Sequence, residues 1–169
     1  MVNRRSPVDE FAAYIANRII DGITECGGGV QEERGKKPGL VRRAVDFPSL
    51  ALSVGVGPAM TFFLSKSSED VKKIKGVYGY LNGNSNDRKD LCDEMKKEEG
   101  SGYAGYIAIL MLILKEIGRA DVDEINKVDN VMELYKKVLN IATHIDFKDF
   151  RTMNPYILEV KKVLEGLPL

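Results

Sequence analysis

The run Pro48–Ser67, PSLALSVGVGPAMTFFLSKS, decides the fold, being apolar, free of charge before Lys66 and interrupted by Gly55 and Gly57. Its apolar residues do not alternate as a strand's would, so it reads as two packed helices with a tight joint. Leu50, Ala51 and Leu52 end the first helix. The glycines permit a backbone turn that a Cβ would resist, and Pro58 suits the start of the next helix. Met60, Phe62, Phe63 and Leu64 then bury the second helix, and Lys66 closes it.

Outward from this hairpin the chain keeps helical spacing. Ser6, Pro7 and Asp9 form a helix start, with Ser as cap, Pro in the first turn and Asp three places after the cap. Phe11, Ile15, Ile19 and Ile23 recur every fourth residue on one face, until Gly27, Gly28 and Gly29 stop the helix. The polar loop QEERGKKPG follows, and from Leu40 a short helix carries Arg42 and Arg43 towards Phe47 and Pro48. Beyond Lys66, Ser68 caps a helix through Val71, Ile74 and Val77 or Tyr78, leaving Lys72, Lys73 and Lys75 on a solvated face. LNGNSNDRKD, Leu81 to Asp90, is turn chemistry. The charged DEMKKEEGSG leads into Tyr103–Ile117, apolar on every side and ended by Gly118.

Val131, Leu134, Tyr135, Val138, Leu139, Ala142 and Ile145 continue at helical spacing, and Asn154 with Pro155 starts a last helix bearing Ile157, Val160, Lys161 and Leu164. The expected architecture is therefore all-α: a compact single-domain bundle of six or seven helices over residues 1–169, with mobile polar loops near 27–38 and 82–101. No internal repeat is visible.

The 169 residues hold 25 Lys+Arg against 25 Asp+Glu, so no global field gathers nucleic acid and any RNA contact must come from a local patch. Cys26 and Cys92 lack a C-x-x-C partner. They suit a reducing cytoplasm, with a disulfide as the less expected state, and they offer no zinc site. The N-terminal MVNRRSPVDEF has basic residues but no following apolar region, so no secretory signal is expected. Ala104–Leu114 is well short of the roughly 20 residues that span a bilayer, and no membrane contact is expected.

The sequence offers little clustered catalytic chemistry, so no enzymatic role is expected. His144 is the only histidine and falls near the end of an amphipathic helix, where an imidazole facing the helix dipole is the plainer reading. The acidic residues Asp121, Asp123 and Glu124 are interleaved with lysine, as on a solvated surface, so neither a metal site nor a cofactor is expected. Gly55-Val56-Gly57 lacks the preceding strand and the Lys-Ser/Thr of a phosphate loop.

Between Arg34 and Arg43 there are five positive charges and no negative one: Arg34, Lys36, Lys37, Arg42 and Arg43. Guanidinium forks and lysine point charges grip phosphates without reading sequence, so this segment is the first candidate for an RNA backbone. A solvated loop and helix is its plain alternative. Arg4, Arg5, Arg18 and Lys66 are further RNA-binding candidates, with Lys66 equally explained by the helix dipole. Tyr78, Tyr80, Tyr103 and Tyr106 can stack on bases, or edge a helical core.

The order Pro48, Ser53, Gly55, Phe62, Leu64, Lys66 resembles the central signature of the small subunit of the type III-B (RAMP-module, Cmr) CRISPR RNA-silencing complex. The chain departs from that pattern at Val54, where the family commonly has a polar residue, and at Gly57-Pro58. The opening helix with Phe11 and Tyr14, the apolar middle helix and the two closing helices are similar in order and type. The resemblance implies a non-catalytic, cytoplasmic block that stacks along the guide–target duplex in antiviral defence. Its implied partners are RAMP-family backbone subunits, crRNA, target RNA and further copies of itself. Head-to-tail stacking would suit a neutral chain with a basic segment at Arg34–Arg43 and an acidic one at Asp93–Glu99. The alternatives are a small subunit of a type III-A or type I effector, and a helical adaptor without RNA binding.

Overall fold

The computed structural model describes residues 6–26 and 36–169. Among them are eight α-helices, one 3-10 helix and no strand: α1 (Pro7–Ile23), α2 (Gly39–Val54), α3 (Val56–Lys66), α4 (Val71–Leu81), α5 (Lys89–Glu94), α6 (Tyr103–Glu116), α7 (Val131–Thr143) and α8 (Phe147–Glu165). The 3-10 helix Ala120–Lys127 lies between α6 and α7. The all-α expectation holds. The count exceeds six or seven because α5 and the 3-10 helix lie in tracts too polar to show a face.

At the centre is α6, in which every residue from Ala104 to Leu114 is buried. A helix apolar all round must be covered on all sides, and α2, α3, α4, α5, α8 and the 3-10 helix supply the cover. Phe47 of α2 and Phe63 of α3 stand edge to face at 5.1 Å, and Tyr106 of α6 lies 5.0 Å from Phe47. α1 packs on α8, and α3 on α7.

The hairpin forms as expected at its joint and differs at both ends. Gly55 adopts φ +93°, which side chains rarely tolerate, and its N–H donates to the Ala51 carbonyl at 2.8 Å. Gly57 is required for a second reason, since a Cβ there would stand 2.7 Å from the Ala142 carbonyl oxygen. Pro48 does not end a short helix; α2 runs through it to Val54. Leu40, Phe47 and Ala51 bury the core face on both sides of the proline, so packing outweighs one lost backbone bond. Phe62, expected inside, is 46% exposed.

Helix starts also shift. Ser6 accepts a bond from the Asp9 N–H at 3.2 Å as expected. Ser68 is no cap, and α4 begins after Asp70. α8 begins at Phe147 rather than Asn154, because Asp146 and Asp149 form a reciprocal capping box; Pro155 sits inside that helix on its exposed side.

Segment 82–101, read as a mobile loop, is tied down at several points. Cys92 forms a disulfide with Cys26, which corrects the free-thiol expectation. The Gly39 N–H donates to the Lys96 carbonyl at 2.8 Å, and Gly39 lies so close to Ser101 that a Cβ would come within 2.6 Å of its carbonyl. Lys73 pairs with Asp70 at 3.0 Å and with Asp93 at 3.7 Å, while Lys75 donates to the Val128 carbonyl and to Asp129, each at 3.0 Å. Two of the three lysines of the expected solvated face are thus cross-links between elements. The other loop, near 27–38, lies mostly outside the described residues.

Candidate partner and nucleic-acid interface

The charged candidates divide sharply when their surroundings are taken one by one. Arg43 is buried, its Nε donates to the Ser101 carbonyl at 3.1 Å and its Nη2 to the Glu99 carbonyl. Its guanidinium stacks 3.9 Å over the Tyr103 ring and lies 3.7 Å from Asp46. Desolvation lowers its pKa, with Tyr103 opposing that shift. The Arg43 guanidinium, expected on an RNA-facing surface, is thus engaged on four sides within the fold. Arg42, half-buried beside it, donates to the Glu98 carbonyl.

The two segments of opposite charge thus meet inside one molecule. Arg42 and Arg43 on α2 clamp the carbonyls of 98–101, immediately before α6. There Glu94, 2% exposed, accepts the N–H of Gly105 at 2.6 Å and of Gly102 at 3.3 Å. Gly102 itself takes φ +98°. A carboxylate at a helix N-terminus satisfies orphan amides and complements the dipole. Burial nevertheless raises the Glu94 pKa, with the two amide bonds opposing.

Arg18 is likewise engaged. Its Nε donates to the Tyr80 carbonyl at 3.2 Å and its guanidinium lies 4.2 Å from the Tyr80 ring centroid, while the Tyr80 hydroxyl donates back to the Arg18 carbonyl at 2.9 Å. The Tyr14 hydroxyl donates to the Leu81 carbonyl at 2.6 Å, so α1 caps the end of α4. Arg18, a phosphate candidate in the sequence, thus joins α1 to α4. The base-stacking reading of the tyrosines is corrected: Tyr78, Tyr80 and Tyr106 are buried, and Tyr103 lies beneath Arg43. The Tyr78 hydroxyl donates to Asp123 at 2.8 Å.

Lys66, Lys36 and Lys37 remain at the surface. Lys66 lies 5.4 Å from the Phe62 ring centroid and makes no ion pair among the described residues. Lys37 donates to the Glu165 carbonyl at 3.3 Å. Arg4 and Arg5 lie outside the described residues.

The structure does bring Asp121, Glu124 and His144 to one small pocket of about 240 Å³. Their groups are spent there. Asp121 accepts from Arg119 at 3.1 and 3.0 Å, which holds its carboxyl below the ordinary value of 3.8, and Glu124 accepts from Lys137 at 2.9 Å. His144 Nδ1 lies 2.7 Å from the Asn140 carbonyl. No group of three or more His, Cys, Asp or Glu able to hold a metal occurs among the described residues.

Periodicity did not disclose an apolar surface at the hairpin. Leu52 is 80% exposed and Val54 50%, on the last turn of α2, and Phe62 projects from α3. Phe147, 74% exposed, begins α8 two residues after Ile145, whose carbonyl faces Gly57. The only sequence signal for this face is the excess of apolar residues over what one helical stripe needs.

Fold and surface together define an all-α bundle that exposes apolar side chains at its hairpin and bonds Arg42 and Arg43 to its own backbone. No family model, curated protein or solved structure matches the chain. No helix among the described residues is long and apolar enough to cross a membrane.

Proposed function

We propose that this chain is a non-catalytic small subunit of a type III-B CRISPR RNA-silencing complex, docking on cytoplasmic RAMP-family backbone subunits beside the guide and target RNA. The observation that carries this reading is the outward display of Leu52, Val54 and Phe62 by the hairpin on which the family resemblance rests. A hairpin that served only the core would bury them, and the apolar surface they leave exposed suits a protein partner. Among the RNA candidates, the exposed Lys66 is the best placed for a phosphate, which leaves the nucleic acid a secondary, electrostatic role.

The engagement of Arg18 and Arg43 within the fold favours a second reading, a helical adaptor with no RNA role. Purification of a tagged copy from its native host, with mass spectrometry and RNA sequencing, separates the two. RAMP subunits with repeat-tagged guide RNAs support the first reading. Protein partners without RNA, under conditions where such complexes survive, support the adaptor. In the first case, Lys66→Ala weakens RNA binding equally for all sequences and lowers the salt slope by about 0.7–0.9.

A further inference from the structure

The disulfide between Cys26 and Cys92 joins the end of α1 to α5 across a sequence separation of 66. Neither cysteine is buried, and both line an open groove of about 420 Å³ together with Glu25, Arg88, Lys89 and Asp93. Its flanking charges cancel locally, Arg88 pairing with Glu25 and Lys96 with Asp93 at 3.3 Å. An incoming thiolate therefore meets a wet, open approach with no strong repulsive field.

Behind the sulfur atoms the junction is dry. Leu91 is fully buried against Gly22, where a Cβ would lie 2.6 Å from Leu91 Cδ2. α5 is also held from its other end by the Glu94 bonds to Gly102 and Gly105 and by the Lys73–Asp93 pair. These contacts do not depend on the sulfur bond. The disulfide fastens the solvent side of a junction whose core side has its own attachments.

We propose that Cys26–Cys92 is a thiol–disulfide exchange site for an external dithiol, whose action releases the end of α1 from α5 while the bundle stays folded. One thiolate of the dithiol attacks a cysteine sulfur, and the other cysteine leaves as a thiolate and takes a proton. The second thiol of the reagent then attacks the mixed disulfide, so the protein gains two electrons and two protons and the dithiol becomes a disulfide.

The full-length oxidised chain is treated with dithiothreitol in native buffer, alkylated with iodoacetamide and mapped by amide exchange. Both thiols are expected to alkylate without denaturant, and the thermal midpoint to fall by about 10 °C, as loss of a 66-residue closed loop implies. Exchange should quicken at 20–26 and 88–93 while 103–114 stays protected at the shortest labelling times. A double variant, Cys26→Ser with Cys92→Ser, should reproduce the reduced map and ignore the dithiol. Alkylation that requires denaturant, unchanged exchange at 20–26, or loss of protection at 103–114 would overturn the proposal.

Discussion

Arg43→Ala should destabilise the chain by about 3 kcal/mol, and the figure can be built from its surroundings. A hydrogen bond from a charged donor contributes about 1.5–3 kcal/mol. The one to the Ser101 carbonyl is buried, whereas the one to Glu99 reaches a more exposed residue and counts for less. Stacking over Tyr103 at 3.9 Å adds about 1 kcal/mol. Against these stands the cost of desolvating the guanidinium, which is the largest cause of its lowered pKa. The net loss corresponds to a fall in thermal midpoint of about 6–12 °C for a chain of this size, read by circular dichroism. Arg42→Ala, which removes a half-exposed donor, should cost under about 1 kcal/mol. Arg43→Lys should fail to rescue, since an ammonium lacks the fork that spans two carbonyls. A midpoint for Arg43→Ala within 1 °C of wild type, or equal losses at both positions, would refute the internal clamp and return the segment to the surface.

Gly39→Ala should cost about 3 kcal/mol in urea unfolding, because the new Cβ meets the Ser101 backbone rather than a yielding side chain. Gly79→Ala, whose Cβ has only Ser85 within 4 Å, at 3.8 Å, should instead stabilise α4 by about 0.5–1 kcal/mol. Glu94 has a folded pKa raised above its ordinary 4.5, so the native state binds more protons there than the unfolded chain, and its contribution to stability falls as pH rises through the window above 4.5. Glu94→Gln should flatten the unfolding profile above pH 4.5, leaving the slope from Asp90, whose carboxyl is also raised above its ordinary 3.8 by burial. Leu52→Ser combined with Phe147→Ser should leave stability within about 0.5 kcal/mol, since both side chains are exposed, yet under the proposed function remove partner proteins from the affinity-purified sample. Retention of all partners would sink the hairpin assignment.

Much of the fold was legible because it depends on local periodicity. The every-fourth spacing of Phe11, Ile15 and Ile19 marks a buried stripe, and the unbroken apolar run in α6 can only be a central helix. Gly55 marked the joint through its backbone freedom, which is a property of one residue. Where the reading failed, a distant element had the deciding vote. Pro48 stays helical because both flanking turns bury core residues, and α5 forms because Leu91 finds Gly22 and Glu94 finds the amides of α6.

Composition and periodicity by themselves determined the all-α class, the central helix, the hairpin turn and the absence of a membrane-spanning helix among the described residues. They act through backbone propensity and burial, which neighbours in sequence largely settle. Only the tertiary structure decided which charges are free. Arg43 and Lys66 are alike in sequence as surface cations, yet among the described residues one stands against carbonyls 56 and 58 residues away and the other against a neighbouring ring. The same long-range closure paired Cys26 with Cys92 and left Leu52 in water, because which face of a helix is covered depends on what folds back onto it.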